Sequence, residues 1–204
     1  MAKWVPKSGE VSIKIAIVGQ PNSGKKNIIE HVAEQYDQSA LRSASVSDAE
    51  IVRAEFIWPE PVPDGPFIRV GLLALSGKPL HQAAEQLLLA DCDALVFVVN
   101  CDPSKISECK STLANLMSNA SGIGLDWGET LLVLQYNNAE RYPNTRPEDL
   151  DSWLGVNVER VERYHTKSNN RDHQVLAVNA VIGAVIAKIT QQSAPEAEVV
   201  AVAN

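Results

Sequence analysis

The sequence predicts an α/β fold in three layers, with a mostly parallel sheet, helices on both faces and one antiparallel hairpin at an edge. Residues 11–18 (VSIKIAIV) form a nearly continuous β-branched run, as a parallel strand buried on both faces requires. That run passes directly into a glycine-bracketed loop and then into an amphipathic helical pattern. Further apolar runs alternate with helical stretches down the rest of the chain, the pattern of repeated strand–helix crossovers.

Taken in order, residues 25–36 read as the first helix, with Ile28, Ile29, Val32, Ala33 and Tyr36 at helical spacing. Residues 37–50, rich in Ser, Ala and Asp, read as a loop. Residues 51–58 and 67–75 read as a hairpin, because the proline-rich stretch between them lacks ladder donors. Residues 76–79 break the pattern and 82–90 resume as helix. Residues 94–100 (ALVFVVN) are a buried strand. Residues 104–119 are a helix with Ile106, Cys109, Leu113, Leu116 and Met117 on one side. Residues 130–135 read as a strand, 147–154 and 158–164 as short helices, 175–178 as a last strand and 182–192 as a last helix. The expected organisation is an N-terminal extension (1–10), one domain (11–192) and a flexible tail (193–204).

The 204 residues suffice for one well-packed domain. A net charge of −7 with no Lys/Arg-rich run argues against a nucleic-acid partner, which needs clustered cations. Cys92, Cys101 and Cys109 lack metal-ligand spacing and read as reduced thiols of a cytoplasmic protein. The first ten residues have no apolar signal core, neither end carries a lipidation box, and no uninterrupted apolar stretch reaches the ~18 residues of a membrane span.

Gly19-Gln20-Pro21-Asn22-Ser23-Gly24-Lys25 matches the phosphate-loop pattern GxxxxGK. Glycines permit backbone angles that turn N–H groups inward, and the following helix supplies its positive end. Lys25 is placed to reach β- and γ-phosphates, with Lys26 and Asn27 completing the expected phosphate-binding set. A Ser or Thr hydroxyl normally follows the lysine to hold Mg²⁺. Here the residue is Lys26, whose ammonium has no acceptor and cannot ligate a cation. Either Lys26 points away and the metal is missing, or its charge partly replaces the metal.

With this loop, the hairpin after the first helix and the run VLQYNN (133–138), the chain resembles the MglA-like bacterial Ras-type small GTPases. The resemblance spans roughly residues 13–189 and is specific in the phosphate loop and in Gln135-Tyr136-Asn137. It implies a six-stranded sheet, a GTP/GDP switch, a role in polarity or motility, and a roadblock-type regulatory partner. The family's switch II segment falls on residues 74–78, where Gly77 is kept. Ala74 offers no carboxylate there, and Lys78 stands where a water-orienting Gln is common. The guanine-reading motif falls on Asn137, Asn138, Ala139 and Glu140, and the last base loop near Asn179 and Ala180. Ser43, Ser45 and Ser47 are the candidates for the switch I hydroxyl. The metal and water-positioning groups are thus missing together, which implies GTP or GDP binding with doubtful Mg²⁺ and weak or absent hydrolysis. An active GTPase, a nucleotide-free scaffold and an ATPase using Asp102 stand as alternatives. Asp102 reads more simply as a cap for the helix at Ser104, and His81 as an exposed loop or helix-start residue.

Overall fold

The computed structural model describes residues 3–5, 9–37, 41–46, 49–59, 66–77, 85–86, 89–122, 125, 130–155, 161–167 and 170–193. Its strands are β1 (Lys3–Val5), β2 (Glu10–Val18), β3 (Arg42–Val46), β4 (Ala49–Ile57), β5 (Phe67–Gly77), β6 (Ala94–Asn100), β7 (Leu131–Asn137) and β8 (Glu162–His165). Its helices are α1 (Lys25–Tyr36), α2 (Ile106–Gly122), α3 (Pro147–Leu154) and α4 (Arg171–Ser193).

The strands lie in the order β3-β4-β5-β2-β6-β7-β8. The run from β5 to β8 is parallel throughout, while β4 is antiparallel to both of its neighbours. β1, contributed by the N-terminal extension, pairs antiparallel with the start of β2.

Alternation along the central strands divides the core in two. Ile13, Ile15, Ile17, Val96, Val98 and Val133 turn to one face and pack with Ile28, Ile29 and Val32 of α1 and Val178, Val181 and Ile182 of α4. Ala16, Val18, Leu95, Phe97, Leu134 and Tyr136 turn to the other face, with Cys109, Leu113 and Leu116 of α2 and Leu150 and Leu154 of α3. A strand covered on both sides needs apolar residues at every position, which is why β2 and β6 read as continuous hydrophobic runs.

Tyr36 ends α1 and ties three elements together. Its ring stacks on Phe56 of β4 at 4.8 Å, lies 5.3 Å from Trp58, and its hydroxyl donates to Asn179 Oδ1 of α4 at 3.1 Å. α3 keeps the bounds expected of it, with a proline in its first turn and Gly155 (φ 71°) as a left-handed C-cap.

Four expectations are corrected. Residues 42–46, read within a loop, form β3, an edge strand whose Arg42, Ser43 and Ala44 are exposed. Of the stretch 158–164, read as helix, residues 162–164 belong to the edge strand β8, and 158–160 lie outside the described residues. Residues 175–178 are part of α4 and not a strand. Among the described residues the sheet has seven strands on its main path, with β1 paired to β2 beside it, where six were expected. The expected helix 82–90 lies largely outside the described residues, with Glu85, Gln86 and Leu89 helical.

α4 is long and apolar enough to cross a membrane by length and composition, a weak indication, and the buried share of its most apolar window is 39%. Its Val175, Val178, Val181, Ile182 and Val185 are buried in the core, so packing accounts for that face of the helix.

Candidate functional site

The loop from Gly19 to Gly24 leaves the carboxyl end of the central strand β2 and delivers the chain to α1. This is the edge of a parallel sheet where ligand crevices form. Gly19 adopts φ 142°, and a Cβ there would stand 2.4 Å from the carbonyl oxygen of Val98 on β6. Gly24 adopts φ 101°, and its Cβ would stand 2.2 Å from Nδ2 of Asn137 on β7. Both positions are therefore glycine for steric reasons: the loop is pressed against the ends of two neighbouring strands. Asn22, at φ 58°, supplies a third left-handed residue and is exposed. Ser23 N–H donates to Gln20 O at 3.3 Å, which closes the turn.

Lys25 opens α1 with only 6% of its surface exposed. Its Nζ donates to Gly19 O at 2.8 Å and to Gln20 O at 2.7 Å. Burial pushes its pKa down to about 8, because the desolvated ammonium loses more than these two carbonyls return. The first turn of α1 has no acidic residue and carries two adjacent lysines at the helix's positive end, the reverse of the charge order a helix N-terminus favours. The buried Ser23 Oγ and Gln20 Oε1 have no hydrogen-bond partner among the described residues. The loop thus brings together a helix N-terminus, the buried ammonium of Lys25 and an unpaired hydroxyl, features that favour negative charge.

Asn137 is the junction of the site. Its Nδ2 donates to Ser23 O at 2.9 Å, and its Oδ1 accepts from Asn138 N–H at 3.0 Å and from Thr166 Oγ1 at 3.4 Å. Its own carbonyl accepts from Cys101 N–H at 3.1 Å. One buried side chain thus links the glycine loop, the strand end and the segment after β8. Asn138, at φ 63°, starts the 3-10 turn Ala139–Arg141, which holds Glu140 half-buried and 3.8 Å from Arg141.

Asn179 and Ala180, expected in a loop, fall on the reassigned helix. Both are inside α4, with Asn179 committed to Tyr36. The segment that meets Asn137 is Thr166, following β8. Its N–H donates to Tyr136 O at 2.8 Å and its hydroxyl reaches Tyr136 O at 3.2 Å. The signal missed in the sequence is a buried-type Thr closing a four-residue strand, obscured by the charges around it.

Lys26 faces β4. Its Nζ lies 3.0 Å from both Oε1 and Oε2 of Glu50 and 4.0 Å from Glu30. The hydrogen bond to Glu50 raises its pKa, against a smaller opposing effect of desolvation. Where a metal-holding hydroxyl would stand there is a cation, and the nearest carboxylate is engaged by it. No group of three or more His, Cys, Asp or Glu suited to a metal occurs among the described residues. The residues at this position do not fit a divalent ion.

Asp102 is a helix cap: it accepts from Ser104 N–H at 2.9 Å and Ser104 Oγ at 2.8 Å, bonds that pull its pKa down. Gly77 is the last residue of β5, paired with Ala49. Ser43 and Ser45 are on β3. Ser47, Lys78 and His81 lie outside the described residues. No protein-family model matches the chain, and no curated protein matches it.

Proposed function

We propose that this chain is a small GTPase-like nucleotide-binding protein of the P-loop type, impaired in hydrolysis, that acts through regulated protein–protein contact. The observation that carries the reading is the glycine loop at the carboxyl end of β2, with Lys25 held over it at the start of α1. In this reading the phosphates lie over Gly19 to Asn27, and Lys25 exchanges its two loop carbonyls for phosphate oxygens. The base lies near Asn137, Asn138 and Glu140, with Thr166 taking the place first given to Asn179 and Ala180. The sequence resemblance favours guanine nucleotides and a roadblock-type partner in the cytoplasm.

Impaired turnover follows from the charges. Phosphoryl transfer relies on a metal and positioned donors to neutralise the transition state. Lys26 replaces a metal ligand with an ion-paired ammonium. A nucleotide-free scaffold is the second reading, favoured by the internal satisfaction of Lys25.

Nucleotide released by denaturing the protein as purified from cells, then identified, separates the two. GTP with Mg²⁺ tests the chemistry: little phosphate release is expected. Brisk release that a Lys25→Ala change abolishes would overturn impaired hydrolysis.

A further inference from the structure

The Lys26–Glu50 pair joins the first turn of α1 to a strand junction. Glu50 is in register with Ser45 of β3 on one side and Ser76 of β5 on the other, one residue before Gly77. Its carboxylate grips Lys26 through both oxygens at 3.0 Å. Lys26 is 40% exposed and Glu50 29% exposed, so the pair is solvent-reachable and individually weak. A polyphosphate arriving over the loop carries more charge than one carboxylate and meets Lys26 together with Lys25 and the helix N-terminus.

We propose that Lys26 acts as a tethered cation in place of a divalent metal, and that a terminal phosphate takes its ammonium from Glu50. Phosphate occupancy is then transmitted to the ends of β3, β4 and β5 by release of Glu50. The inference rests on the nucleotide-site reading and names how that site is charged and what it moves. Two features support it: a pair of lysines at a helix's positive end, the second of them held by a carboxylate, and the unpaired buried hydroxyl of Ser23 in the loop that precedes them.

The test uses the full chain and fluorescent GDP and GTP analogues, titrated with Mg²⁺ and with chelator. Wild-type affinity is expected to agree within about threefold between the two buffers. Lys26→Met should weaken binding about tenfold or more in both, as loss of a charge-assisted contact does. Glu50→Gln removes the competitor and should tighten binding severalfold. Both changes are at half-exposed positions and are expected to leave the fold intact. Amide exchange gives a separate readout: nucleotide should loosen residues 49–51 and 75–77 in the wild type and leave them unchanged in Glu50→Gln. A wild-type affinity that collapses in chelator overturns the tethered cation alone. Unchanged affinity in both variants does the same. No binding of either nucleotide in any buffer overturns the site reading and the inference with it.

Discussion

The side-chain amide of Asn137 donates to the carbonyl of Ser23 at 2.9 Å and occupies the space where a Cβ on Gly24 would sit. The glycine loop and the end of β7 are therefore one unit, although 114 residues separate the partners. In the proposed nucleotide-site reading, this amide couples the loop assigned to the phosphates to the strand end assigned to the base. Asn137→Ala leaves Ser23 O without this donor in a buried setting, at a cost of about 1–3 kcal/mol. Denaturant melts should show that loss, and nucleotide titration should show weaker binding of both di- and triphosphate.

Gly19 makes the complementary case. Its Cβ would overlap a backbone oxygen of β6 at 2.4 Å, and a strand in the sheet's centre has little room to yield. Gly19→Ala is expected to cost at least about 2 kcal/mol in melts. Gly9→Ala, at φ 61° with open space around it, carries only the left-handed backbone penalty of about 1 kcal/mol. Equal losses at the two sites would contradict the packing of the loop against β6.

How much of this was legible in the sequence depended on how each segment is buried. β2, β6 and β7 have apolar residues turned to both faces, so their runs are nearly continuous in apolar character and legible as strands. β3 and β8 are edge strands, and edges carry polar residues that hide the two-residue period. α4 was misread for a different reason. Its VLAV run includes Val175, Ala177 and Val178 facing the sheet, a broad apolar stripe that looks like a strand over four residues and a helix only over twelve. The same stripe put Asn179 after a strand, whereas it lies within α4. The junction at Asn137 was recognised by motif, while its bond to Ser23 needed the three-dimensional register of β2, β6 and β7.

The three cysteines report on the core. Burial pushes Cys92 up to about 11 and Cys101 and Cys109 up to about 12. All three should resist alkylation at neutral pH until the chain unfolds, so labelling rate should track global unfolding. Because their folded values exceed the ordinary 9.0, the stability they contribute is present below pH 9 and is lost as pH rises through 11–12. Alkaline melts should show this decline, and Cys101→Ser should reduce its slope.

Lys25 has the opposite sign. Its folded pKa of about 8 is below the ordinary 10.5, so the unfolded chain holds more protons between those values and this residue's burial penalty is relieved as pH rises. The interval corresponds to roughly 3 kcal/mol. Since the cysteines oppose it above pH 9, the effect is read as a difference: Lys25→Met should be more stable than wild type at pH 7, with the gap narrowing toward pH 10.5. Phosphate binding reverses the preference, because an anion beside Nζ favours the charged form. Nucleotide uptake should therefore draw in a proton above pH 8, and affinity should fall as pH rises past that value. Calorimetric titration in buffers of different ionisation heat at pH 8.5 measures the proton directly. A proton count of zero there would mean that Lys25 does not meet the phosphates.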